Sequence, residues 1–131
     1  MKALLFILLL LSVTIFSCQK KDNITPDATK VTMIITRPDS AQVFRSGDTV
    51  HINATVSYPS ELHGYEVKII DTTTGYILYD DAQHVHDDHF IISDTWVCSG
   101  TQPAVLKLEL IAEVDHNGTD AIKTLFFNYL P

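Results

Sequence analysis

The strongest signal in this chain is an alternation of apolar and polar residues with the period of two that belongs to β-strands. Over residues 49–56, Val50, Ile52, Ala54 and Val56 fall on one side, and His51, Asn53 and Thr55 on the other. A strand buried on one face is expected there. Over residues 106–115, Leu106, Leu108, Leu110, Ala112 and Val114 alternate with Lys107, Glu109, Ile111, Glu113 and Asp115, which predicts a second. Shorter runs follow the same logic. Residues 31–36 are rich in β-branched side chains and are closed by Arg37-Pro38-Asp39-Ser40. Tyr65, Val67 and Ile69 alternate, residues 76–79 form a short run, and residues 90–98 form a longer one with a kink expected near Asp94. In residues 121–130 the cluster Phe126, Phe127, Tyr129 and Leu130 leaves the facing open.

Turn signals separate these runs. Ser46-Gly47-Asp48, Tyr58-Pro59-Ser60 and the stretch 71–75 read as turns, residues 80–88 as a polar loop, and His116-Asn117-Gly118-Thr119 as an Asn-Gly hairpin. No window has a helical period. About seven short strands over roughly 100 residues predict an all-β chain folded as an antiparallel two-sheet sandwich.

The N-terminus follows another rule. After Lys2, residues 3–16 are apolar except for Ser12 and Thr14. That run is shorter than the roughly 20 residues needed to span a bilayer, so it reads as a secretory signal. It ends in Ile15-Phe16-Ser17-Cys18, which resembles the lipobox of bacterial lipoproteins, although Phe16 stands where a small or aliphatic residue is usual. The resemblance implies cleavage before Cys18 and acylation of that cysteine. Gln19-Lys20-Lys21-Asp22 is similar to the short tract that follows the cysteine in surface-exported lipoproteins of Bacteroidetes-type bacteria. The implied location is the cell envelope, with the lipid on Cys18 in the outer membrane and the domain facing the periplasm or the cell surface. Residues 1–17 are then the signal peptide, 18–30 a lipidated flexible tether, and 31–131 the sandwich. An ordinary secretory signal is the alternative, and it leaves Cys18 free to pair with Cys98.

The Pro-bounded first strand, Ser46-Gly47-Asp48-Thr49-Val50 and the Asp115-His116-Asn117-Gly118 hairpin resemble bacterial immunoglobulin-like and fibronectin-III-like modules. The resemblance implies an immunoglobulin-like sandwich. A Cys…Trp…Cys framework and a tyrosine corner at the start of the Leu106 run are both missing, which leaves the subfamily open.

Charge narrows the partners. The 131 residues carry 16 acids against 9 bases, for a formal net charge of −7. Cutting off residues 1–17 removes only Lys2 and takes the charge to −8. An acidic domain of this kind argues against nucleic acid as a partner.

Candidate chemistry is concentrated in Asp80-Asp81-Ala82-Gln83-His84-Val85-His86-Asp87-Asp88-His89, which holds three of the chain's six histidines and four carboxylates. Imidazole with carboxylate suits a divalent transition metal, Zn²⁺, Cu²⁺ or Ni²⁺. If residues 84–88 are extended, His84, His86 and Asp88 share a face, while His89 needs a bend to join them. His51, His63 and His116 lie in other strands or turns and could complete a site only if the fold brings them near. The alternative is a solvated acidic loop. Cys98 and Trp96 read as core residues. There is no G-x-S-x-G, no P-loop and no H-E-x-x-H, so no catalytic residues are assigned and no enzyme is expected. Two function classes remain: a metal-binding envelope module, or a structural or adhesive module meeting an envelope protein or glycan.

Overall fold

The two strongest alternating runs become the centres of two different sheets. The computed structural model describes residues 25–131. Cys18, the signal and most of the tether lie outside the described residues. Among the described residues there are eight strands: β1 Thr32–Arg37, β2 Val43–Arg45, β3 Thr49–Leu62, β4 Gly64–Asp71, β5 Ile77–Gln83, β6 Asp87–Val97, β7 Ala104–Glu113 and β8 Asp120–Leu130. A three-stranded sheet has the order β1-β3-β6, and a five-stranded sheet the order β2-β8-β7-β4-β5. The fold is an all-β two-sheet sandwich. All its pairings are antiparallel except that of β2, which joins β8 in parallel.

The alternation does what it predicts. Val50, Ile52, Ala54 and Val56 of β3 face Leu106, Leu108, Leu110 and Ala112 of β7 from opposite sheets, all of them buried. Phe127 and Tyr129 settle the open facing of β8: both turn inward, while Phe126 and Leu130 point out. Cys98 is buried and free, and Trp96 is partly buried against the core.

Four details differ from the sequence reading. Tyr58-Pro59-Ser60 does not end its strand, and β3 runs on to Leu62. Between Ser57 and Leu62 its register with β6 is interrupted, so the missing N–H of Pro59 breaks no ladder bond there. Residues 80–83 are strand, because β5 is a sheet edge where Asp80 can lie opposite Lys68 and keep its carboxylate in water. Residues 87 and 88 are strand too, which leaves only residues 84–86 as the link from β5 to β6. At Asp94 there is no kink. The pairing with β3 runs straight through, and the Asp94 carboxylate accepts a hydrogen bond from the Tyr79 hydroxyl across the open side of the sandwich.

Ahead of β1, a single 3₁₀ turn at Ala28–Lys30 is capped by the Asp27 carboxylate, and Ala28 and Val31 pack on the core. The Asp27 N–H donates to the Tyr58 hydroxyl, 3.1 Å away. The described chain therefore joins the sandwich at the end where β3 turns into β4.

Candidate metal centre

That same end carries three connections, and each brings histidine. His63 is the single residue between β3 and β4. His84 and His86 lie in the link from β5 to β6, and His116 in the hairpin from β7 to β8. The register explains why they meet. Gly64 pairs with Glu113 at the last rung of the β4–β7 ladder, and the His63 N–H donates to the Glu113 carbonyl at 2.8 Å. His116 then follows three residues after Glu113. On the other side of β4, Tyr65 pairs with Gln83, which places His84 one residue beyond that rung.

Gly64 makes the approach close enough. A Cβ on it would stand 2.5 Å from the Gln83 carbonyl oxygen and 3.4 Å from the His84 Cα. Only a residue without a side chain lets β4 pass under the β5–β6 link at this point. The hairpin is held just as locally. The Asp115 carboxylate accepts from the Asn117 N–H at 2.8 Å, the Thr119 N–H at 2.9 Å and the Thr119 hydroxyl at 3.0 Å. Those bonds hold the Asp115 carboxyl below the usual carboxylate range and present His116 from a fixed turn.

One ligand nitrogen from each of His63, His86 and His116 lies within 4.8 Å of the other two. The ring centroids stand 4.8 Å apart for His63–His86, 4.1 Å for His63–His116 and 5.9 Å for His86–His116. His84 packs on the same group, with its ring 4.8 Å from His86 and 5.6 Å from His116. Its Nε2 is 3.2 Å from the Nε2 of His86. On its far side, the Nδ1 of His86 lies 3.1 Å from a carboxylate oxygen of Glu61.

Two features show that this is more than proximity. The Nδ1 of His63 is closed off from solvent and has no hydrogen-bond partner. A buried polar nitrogen without a partner costs about 1–3 kcal/mol, and a metal ion is one way to satisfy it. Burial, together with the neighbouring imidazoles of His116 and His86, also lowers the His63 pKa, which favours the neutral form that metals take. The centre can therefore hold a divalent transition metal on imidazole nitrogen.

The sequence-derived ligand set meets this geometry unevenly. His84 and His86 are in the cluster. His89 lies two places into β6, opposite Ser57 of β3, and forms none of the histidine ring pairs. Asp88 is exposed, its N–H bonded to the Asp87 carboxylate. His51 stands at the other end of β3, on the wall of a cleft of about 160 Å³ with Arg37, Asp39 and Gln42. His63 and His116, single histidines in separate turns, carry no local pattern that marks them. Their signal is pairwise: each sits just past the end of a strand, and those strands share a rung.

Neither a family model nor a curated protein matches the sequence. Among solved structures, the fold is similar to fibronectin(III)-like modules of CbhA from Clostridium thermocellum, with a TM-score of 0.46 and 16% identity over 75% of this chain and 94% of that one. It is also similar to a CARDB domain from Pyrococcus furiosus, solved in complex with di-metal ions, with a TM-score of 0.46 and 12% identity over 76% of this chain and 87% of that one. A solution structure of that domain gives 0.45 and 12% over 77% and 94%. These are likenesses of strand arrangement, and no residue role is carried across them.

Proposed function

We propose that this protein is a non-catalytic envelope module that binds a divalent transition metal at the end of its sandwich, through His63, His86 and His116 with His84 beside them. The observation that carries the reading is the convergence of imidazoles from three separate connections on one point, with the His63 Nδ1 buried and unpartnered. The lipid anchor at Cys18 belongs to the same proposal and rests on the sequence of residues 15–18. Because the described chain joins the sandwich beside β3–β4, a lipid on Cys18 would leave the histidine cluster on the tethered side of the domain.

Calorimetric titration of the protein with Zn²⁺ and Cu²⁺ tests the site. One ion per chain is expected, with binding lost in the His63→Ala/His116→Ala double variant and kept in His89→Ala. A structural or adhesive module would take up no ion, and that outcome refutes the metal reading. For the anchor, Cys18→Ser should move the protein from the membrane fraction to the soluble fraction of the producing cell.

A further inference from the structure

The arrangement around His86 goes beyond a group of neighbouring imidazoles. A carboxylate only accepts hydrogen bonds, so the 3.1 Å approach of Glu61 puts the proton of a neutral His86 on Nδ1. The lone pair is then left on Nε2, the atom that faces His84 at 3.2 Å. A carboxylate holding the outer nitrogen of a ligating histidine fixes its tautomer and ring orientation and raises its basicity. Glu61 lies two residues ahead of His63 on β3, so the strand that delivers one imidazole also orients another.

The spacing speaks to coordination number. Around a tetrahedral ion with bonds of about 2.0–2.1 Å, neighbouring nitrogens stand about 3.3–3.4 Å apart. Cis nitrogens of a square-planar ion stand about 2.8–3.0 Å apart at the same bond lengths. The His84–His86 separation of 3.2 Å is closer to the tetrahedral edge. Imidazole centroids around such an ion would be about 5 Å apart. Of the six pairs among the four histidines, five have centroids 4.1, 4.8, 4.8, 5.6 and 5.9 Å apart, around that value. His63 and His84 form no ring pair, and only His63, His86 and His116 have nitrogens mutually within 4.8 Å, so His84 must turn toward the ion to join them.

Resting on the metal reading above, we infer that the centre is a closed four-nitrogen site of the zinc class, with His84 as the fourth ligand and Glu61 as the positioning residue for His86. A closed site keeps no open position for substrate or water, which is the mark of a structural ion. Its work is to fasten the β3–β4, β5–β6 and β7–β8 connections together.

Co²⁺ substitution reads this directly, because a four-coordinate ion absorbs strongly in the visible and a six-coordinate ion weakly. The Co²⁺-loaded protein should show the strong spectrum with no exchangeable water on the ion, read by solvent-proton relaxation, whereas in His84→Ala one water takes the fourth position and the relaxation rate rises. Glu61→Ala should lower Zn²⁺ affinity about 10–100-fold, with Glu61→Gln, whose carbonyl still accepts from Nδ1, falling between. The thermal midpoint of the metal-free protein should move little in both Glu61 variants, because the Glu61–His86 contact is exposed. A weak spectrum from the parent, or an exchangeable water on its ion, overturns the closed site. Equal affinity in the parent and Glu61→Ala overturns the role of Glu61 while leaving the metal reading intact. If the parent takes up no ion, both fall.

Discussion

The two ends of the sandwich solve the same problem in opposite ways. At the end away from the histidines, polar side chains in the turns are spent on the backbone. The Asp48 carboxylate accepts from the Arg45 N–H at 2.7 Å, Asp71 accepts from the Thr73 and Thr74 N–H groups at 2.7 and 3.3 Å, and the Tyr129 hydroxyl donates to the Gly100 carbonyl at 2.7 Å. At the histidine end, Asp115 does the same work for its hairpin, but the imidazoles point at one another and His63 keeps a buried nitrogen without a partner. Turns whose polar groups are used up maintain the fold. Turns that leave donors converging on a point can do chemistry.

The largest test of that contrast is ligand-linked stability. Zn²⁺ at 100 times its dissociation constant should stabilise the protein by about 2.7 kcal/mol, read as a rise in thermal midpoint. The same ion should leave the His63→Ala/His116→Ala variant unmoved. A comparable rise in that variant would show that the ion binds elsewhere.

Next in size is Gly64→Ala, which forces a Cβ to within 2.5 Å of the Gln83 carbonyl. Steric overpacking of this kind costs about 1–3 kcal/mol, and here it should weaken metal binding as well, since the β5–β6 link must move. Gly47→Ala, in the turn between β2 and β3 at the other end, is the control. Its φ of +88° makes that substitution strained, but no atom crowds the new Cβ, so stability should fall with metal affinity kept.

Proton competition should separate the two ends by pH. At the histidine end, burial lowers the folded pKa of His63 below its ordinary value of 6.5. Its contribution is thus present above that value and is lost as the pH falls through the folded pKa, together with the metal. The carboxyl of Asp71 is held below its ordinary value of 3.8 by the turn N–H groups. Its contribution survives this loss and disappears only at more acid pH. Zn²⁺ titrations and denaturant melts from pH 8 to pH 3 should therefore show two separate steps. A single step would remove the distinction.

The smallest effect expected is at Cys98. It is 1% exposed, and burial pushes its thiol pKa up to about 11. Folded protein at pH 8 should not react with a thiol reagent, with or without Zn²⁺, and full reaction should appear only in denaturant. Fast labelling of the native protein would show that the end away from the histidines is open.

How much of this the sequence displayed follows from how local each signal is. Strands β3 and β7 are legible because one face is buried and the other wet, so alternation records the fold directly. The facing of β8 is not, because Phe126 and Phe127 are adjacent and only the pairing of Phe127 with Leu106 decides which goes inside. The histidines divide along the same line. His84 and His86 stand out because they are two residues apart and reach the centre through one short link. His63 and His116 are 53 positions apart in the chain, and only the Gly64–Glu113 rung brings them together. His89 is only three residues beyond His86, yet strand pairing with Ser57 fixes it in β6. Proximity along the chain finds half of such a centre, and register finds the rest.

A crystal structure grown with Zn²⁺, with anomalous diffraction recorded at the zinc edge, would show the metal centre itself. A single strong peak is expected about 2.0–2.1 Å from nitrogens of His63, His86 and His116. No ordered ion at the end of the sandwich, or an ion held by His89 and Asp88 instead, would contradict it.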